Sequence, residues 1–276
     1  MTLTELTRLK VFYVLLLFAL ALIASSTLVA RLGFQEEFQV LKDVSLGAMG
    51  IFSSLLAIVA TARLLPQDQE DRTVYTILAR PVPRFEYVAG KLLGVLLLLA
   101  LSLLAMSALF FLLLYFREQS ALAETARQMS PLPPEQLSAA LDAVRRSVFT
   151  ANLLPGIVII FFKAGLLASL TLFISTFAST SLFSIVLAVF VYFIGHLQAT
   201  AREFWLQEHG AAWFGRTFFA LVALIFPDLQ LFDFSDEIVV GAGIPLLFFL
   251  QIAALGAFYI VIYLLLAIAV FTGKEL

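Results

Sequence analysis

Charged residues divide this chain into long apolar runs. Every residue between Lys10 and Arg31, between Asp43 and Arg63, and between Lys91 and Arg117 is uncharged. A charge at the centre of a bilayer costs about 2.5–3.5 kcal/mol on insertion scales, and about 20 apolar residues cross the hydrocarbon, so charges mark the ends of spans. The pattern predicts membrane-spanning helices over residues 11–31, 44–64 and 91–116. The uncharged stretch 164–201 is too long for one helix and carries Ser175, Thr176, Ser179, Thr180 and Ser181 near its middle. A tight turn there divides it into spans over 153–177 and 182–200. Gly241, Gly243 and Pro245 interrupt the start of the last uncharged run, which leaves a sixth span over 246–271. The first run is too long for a signal-peptide core and reads as a retained helix. The expected fold is therefore all-α and polytopic, a single membrane domain over 1–276 with six transmembrane helices and both termini on one side.

Lysine and arginine in short loops set the orientation. Arg8, Lys10, Arg63, Arg72, Arg80, Arg84, Lys91 and Lys274 fall on one side, which is expected to be cytoplasmic. Arg117, Arg127, Arg145, Arg146, Arg202 and Arg216 fall on the other, partly offset by neighbouring acids. The outer loop 117–150 reads as folded: Ser130, Pro131, Pro133 and Pro134 end one short helix and open another, whose Leu137, Leu141, Val144 and Val148 share a face. In the second outer loop, 201–245, Trp205 and Trp213 resemble interfacial anchors, and the uncharged run 217–227 is too short to cross. A re-entrant or interfacial hairpin before the sixth helix fits both facts, and a surface amphipathic loop is its alternative. Irregular backbone at membrane depth needs protein or a water-filled cavity around it, which would set a hairpin beside a translocation path.

Composition agrees with lipid as the main solvent: 62% of residues are hydrophobic and 13% charged, with a mean hydropathy of +1.03. The net charge of −2 offers no basic surface for a nucleic acid. With no cysteine there are no disulfides, thiolate metal sites or cysteine nucleophiles. No phosphate-binding loop, nucleophile elbow or H-E-x-x-H zinc motif occurs, and no acid lies inside a predicted span, so the chain reads as a non-enzyme. Two residues break the apolar pattern. Lys163 lies within the fourth span, about 20 Å from its inner end at 1.5 Å per residue. It either snorkels to the outer interface or meets an anionic substrate or partner helix. His196, at the outer end of the fifth span, is a pH-sensitive or metal-binding candidate, or a hydrogen-bonded structural residue.

The loop over 66–90 carries the most specific pattern. It reads PQDQEDRTVYTILARPVPRFEYVAG and leads into Lys91. Asp68, Glu70 and Asp71 favour a helix N-terminus, Val74, Ile77 and Leu78 follow at helical spacing, and Pro81 and Pro83 stop that helix and open the next. The predicted result is a short amphipathic helix over about 69–79, a rigid elbow, and then the third span. Such a lever transmits force between a soluble partner and the bundle. Gly90 and Gly94 add a small-x-x-x-small pair for close helix approach.

This loop resembles the signature loop of the ABC-2 type permeases, the membrane subunits of ATP-binding cassette exporters. The matching positions are Arg72, Thr73, Tyr75, Leu78, Arg80, Pro81, Arg84, Phe85, Glu86, Gly90 and Lys91, with Gln67 and Asp68 departing from the usual lysine and glutamate. Lys42, Asp43, Leu46 and Gly47 resemble the stretch before that family's second helix. Tyr192, Phe193, Gly195 and His196 resemble the end of its fifth, Phe226, Pro227 and Asp228 its outer hairpin, and Lys274, Glu275 and Leu276 its C-terminus. Permeases grouped with multicopper-enzyme maturation exporters are the nearest in pattern. The resemblance implies a coupling helix in which Asp68, Glu70, Asp71, Arg72, Thr73, Tyr75, Leu78, Arg80, Pro81 and Arg84 dock onto a separate ATP-binding subunit. ATP and magnesium would sit on that subunit and no cofactor on this chain. It also implies a second permease copy or paralogue, with Lys163, His196, Pro227 and Asp228 as pathway or structural residues. The expected location is a bacterial or archaeal cytoplasmic membrane. The alternatives are an ion-gradient-driven secondary transporter, and an ABC-type mechanotransmission subunit that acts on an envelope partner and moves no solute.

Overall fold

The computed structural model describes residues 10–30, 37–70, 83–128, 133–150, 152–209, 226–240 and 243–273. Helices account for nearly all of them and no strand occurs among them. We number the helices α1 (Lys10–Ala30), α2 (Glu37–Glu70), α3 (Arg84–Gln128), α4 (Pro134–Val148), α5 (Leu153–Phe177), α6 (Ser181–His209), α7 (Ser235–Val240) and α8 (Leu246–Gly273), with a 3₁₀ turn at Leu229–Phe232 before α7.

The breaks follow local chemistry. Pro83, Pro133 and Pro245 each precede a helix start, where a missing N–H costs nothing, and their carbonyls accept the first helical bonds, from Glu86, Gln136 and Phe249 at 3.0 Å each. Between α5 and α6 the chain turns in three residues. Ala178 leaves the helix in extended conformation, and the Thr180 hydroxyl caps α6 by accepting from the Phe183 N–H at 3.3 Å.

α5 is the central post. Every residue from Lys163 to Leu172 is buried, as expected of a helix that is apolar all round. It packs against α2 on one side and α8 on another, with α3 and α6 completing the ring. Ser169, Thr171, Ser175 and Thr176 are buried in it, and each satisfies its hydroxyl on a carbonyl three or four residues back along the same helix. The opposite is true of the perimeter, where Leu182, Phe190, Phe193, Leu246, Leu247, Phe258 and Leu265 stand exposed. An apolar exterior of this extent is compatible with a bilayer as solvent.

Five helical segments are long and apolar enough to cross a membrane: Glu37–Gln67, Arg84–Gln128, the α5 part of Glu135–Phe177, Ser181–Gln198 and Leu246–Gly273. In α1 the apolar stretch Phe12–Leu28 is shorter than these. The helices also overrun several limits set by charge. α2 starts seven residues before the expected span and continues through Pro66 to Glu70, so 66–70 is the end of a helix and not the start of a loop. α3 continues to Gln128, twelve residues past Phe116, and α6 to His209. Charges mark where the apolar surface ends, whereas a helix ends only where the backbone is broken. Residues 117–128, REQSALAETARQ, contain helix formers and neither Gly nor Pro. The outer loop expected over 117–150 is thus the end of α3 followed by α4, and the two pack together.

α4 rests on the bundle through the face predicted for it: Val148 is buried and Val144 packs against the core. Lys42, 1% exposed, donates from Nζ to the Ser147 carbonyl at 2.7 Å. A cation on the last turn of α4 satisfies an orphan carbonyl and complements the helix dipole. Arg117 of α3 pairs with Glu37 of α2 at the same end of the bundle.

Candidate functional site

At the end of the bundle near α4, residues 226–240 fold inward as a wedge between α5, α6 and α8. Leu229, Phe232 and Ile238 are each no more than 2% exposed. Close approach is possible because the facing helices present glycines. A Cβ at Gly195 of α6 would stand 2.8 Å from the Pro227 carbonyl oxygen and 2.8 Å from Leu229 Cγ, and one at Gly256 of α8 would stand 3.0 Å from Phe232 Cε1. Gly156 of α5 likewise leaves the room that Ile238 fills. Gly90, by contrast, faces open space within the chain.

The wedge brings an acid to the lysine. Lys163, 5% exposed, places Nζ 3.7 Å from Asp233 Oδ2 and 3.3 Å from His196 Nε2. An ammonium has only donors, so a charged Lys163 donates to His196 Nε2. Tyr192, one turn before His196, sets its ring 4.6 Å from the imidazole. Lys163 thus meets a carboxylate supplied from 70 residues away in sequence. Asp233 is held from its other side: Oδ1 accepts from the Ser235 hydroxyl at 2.9 Å and from the Ser235 N–H at 3.4 Å. Burial pushes the Asp233 carboxyl up, while Lys163, the two Ser235 bonds and His196 pull it down more strongly, so it titrates below the ordinary aspartate value.

The cluster lines a cavity of about 310 Å³. Lys163, His196, Tyr192 and Asp233 form its polar end, and Leu46, Ile51, Ile160, Phe234 and Ile238 supply apolar walls. Gly47 and Gly50 of α2 also line it, and both face open space, so part of the volume exists because they carry no side chain. Among the described residues no group of three His, Asp or Glu is placed to hold a metal ion.

Of the residues singled out in the sequence, Lys163 and His196 meet here. Pro227 is buried and packs its carbonyl on Gly195. Asp228 caps the 3₁₀ turn, accepting from the Gln230 N–H at 3.1 Å. Asp233, Tyr192 and Ser235 complete the cluster without having been singled out for it. The available signal was the run FPDLQLFDFSD, in which acids alternate with aromatic residues where a solvated loop would carry polar ones.

At the opposite end of the bundle, Arg84 Nη1 donates to the Thr272 carbonyl at 2.9 Å, and Tyr87 stacks on Phe271 at 5.6 Å. These contacts fix the first turn of α3 to the last turn of α8. Asp68 and Glu70 fall in the last turn of α2. Asp71, Arg72, Thr73, Tyr75, Leu78, Arg80 and Pro81, and with them most of the amphipathic helix expected there, lie outside the described residues, as do Trp213 and residues 217–225.

The architecture defines an all-helical chain with five helices suited to crossing a membrane and a buried ionic cluster at one end of the bundle. By sequence it belongs to the family described as protein of unknown function DUF2705, whose profile matches residues 31–276. No curated protein matches it.

Proposed function

We propose that this chain is the membrane permease subunit of an ATP-binding cassette transporter of the ABC-2 type, an exporter that works with a separate ATPase subunit and a second permease copy or paralogue. The observation that supports it most is the joint at the start of α3. Within the stretch that resembles the coupling element the helix α3 begins at Arg84, and Arg84 and Tyr87 are fixed to Thr272 and Phe271 of α8. A push on the start of α3 is therefore delivered to two long helices together. In this reading α1 is the sixth crossing, since its 21 residues extend about 32 Å. The Arg84 end then faces the cytoplasm, with both termini, and the 226–240 wedge faces outward. Asp68, Glu70, Arg72, Tyr75 and Arg80 make the contact with the ATPase, which carries ATP and magnesium.

Pull-down of the tagged chain from its native membrane tests the assignment. The complex is expected to copurify, and charge reversal at Arg72 and Arg80 to break it while leaving the permease folded. Hydrolysis of ATP by the purified chain alone, or absence of any copurifying ATPase, would overturn it. One observation favours a second reading, transport driven by an ion gradient: a carboxylate, an ammonium and an imidazole meet inside the bundle. Uptake into proteoliposomes driven by a pH gradient without ATP would select that reading. A subunit that transmits force to an envelope partner would show ATPase activity that no solute stimulates.

A further inference from the structure

We propose that the cavity at Lys163 is a binding site for a small carboxylate with an apolar tail, and that Asp233 is the internal carboxylate such a ligand displaces. The inference goes beyond the coupling to ATP and holds whatever drives the chain.

The argument begins with the lysine. A buried ammonium needs an anionic partner, and the only acid within ion-pair distance among the described residues is Asp233. Yet the pair is asymmetric. The Lys163 side chain is 7% exposed and that of Asp233 is 50% exposed. Lys163 is fixed in the middle of the most buried helix, whereas Asp233 sits between the 3₁₀ turn and α7, outside either. The two carboxylate oxygens have separate duties: Oδ2 faces Lys163, and Oδ1 is held by Ser235. Asp233 can leave Lys163 and still keep its hydrogen bonds to Ser235, so the exchange leaves no buried charge unpaired.

The ligand class follows from the walls. Lys163 already receives a carboxylate at this point, and His196 beside it adds a neutral imidazole. A dianionic phosphate would demand more donors than one ammonium, whereas a single carboxylate matches it. Away from Lys163 the lining is Leu46, Ile51, Ile160, Phe234 and Ile238, which rewards an alkyl tail over a polar one. At the ~30 Å³ that a water occupies in the liquid, 310 Å³ holds roughly ten non-hydrogen atoms. Octanoate has that size, and the open positions of Gly47 and Gly50 lie along its path.

The test is equilibrium binding of radiolabelled octanoate to the full chain in maltoside micelles at pH 7, with octanol, octylammonium and inorganic phosphate as competitors. Wild type is expected to bind octanoate saturably, with unlabelled octanoate displacing it and the other three failing to. Asp233→Asn removes the internal competitor and should tighten binding, by about tenfold if the pair is formed nine-tenths of the time. Lys163→Met should weaken it about 30-fold or more. Because that variant leaves Asp233 unpaired and can misfold, Gly50→Leu provides a second arm: it fills the cavity while keeping the Lys163–Asp233 pair, and should also abolish binding. Unchanged affinity in Asp233→Asn, or undiminished binding in Gly50→Leu, would overturn the proposal. Displacement by phosphate as strong as by octanoate would show a site for any anion and refute the assignment of an apolar-tailed ligand. Octanol competing equally would mean that Lys163 plays no part.

Discussion

At Gly195 a helix of the bundle meets the backbone of the wedge, and replacing it with alanine tests whether that contact holds residues 226–240 in place. The added methyl would sit 2.8 Å from the Pro227 carbonyl oxygen and from Leu229 Cγ, so the contact must open by about 0.6 Å to reach the 3.4 Å of ordinary packing. One neighbour is backbone and cannot rotate away. Overpacking of this kind costs about 1–3 kcal/mol, while alanine in a helix returns roughly 0.5–1 kcal/mol. The net loss is about 0.5–2 kcal/mol, which corresponds to about a 2- to 30-fold rise in the population of the displaced wedge. Since the chain has no cysteine, a single Phe234→Cys provides a clean probe at a position 7% exposed in the native fold. Its maleimide labelling rate should rise by that factor in the Gly195→Ala background. Gly47→Ala is the internal control, with open space around its Cβ; labelling should stay constant there and the melting temperature should hold or rise. Equal labelling in both backgrounds would refute the idea that Gly195 seats the wedge.

Three further outcomes are expected. Lys42→Met leaves the Ser147 carbonyl without its partner; it should destabilise the α4 end by about 1–3 kcal/mol, read as faster hydrogen exchange in α4 with little change in α8. Asp233 titrates below the ordinary value, so its contribution to stability is present above the unfolded aspartate pKa of about 3.9 and is lost as pH falls through the lower folded value. The difference in melting temperature between wild type and Asp233→Asn should therefore be constant from pH 7 to about 5 and shrink below about 4. Lys163 and the Ser235 bonds set that range. Arg84→Ala frees the start of α3 from Thr272; if the chain is the permease proposed above, the variant should lower transport per ATP hydrolysed more than it lowers ATPase binding, and an unchanged ratio would count against the joint as a force-bearing element.

The sequence made the helices legible because lipid imposes a simple rule on charge. The segment 153–177 matches the extent of α5, which the Ser-Thr turn at 179–180 ends, and Pro155 lies in its first turn. Where the rule concerns solvent and not backbone it misplaced boundaries: Arg117 begins a polar surface but not a loop, and Pro66 sits inside α2, near enough to its end that one lost hydrogen bond is tolerated. The ionic cluster was half legible. Lys163 stood out because a charge in an apolar helix demands a partner, but nothing in local periodicity points from residue 163 to residue 233. That pairing depends on how the wedge enters the bundle, and entry depends on glycines on three helices that sequence periodicity treats alike.

The 45 residues of α3 form a rod of about 68 Å against a hydrocarbon layer of about 30 Å. Its first turn is clamped to α8, and its last dozen residues, braced by α4, stand beyond the apolar part. The geometry is that of a gear lever: a tilt of about 10° at the clamped end would sweep the far tip through about 12 Å, from the rod length alone. A change too small to resolve near Arg84 would be conspicuous at Gln128, which makes that tip the place to mount a spectroscopic label and a natural surface for another molecule to read the state of the bundle from outside the lipid.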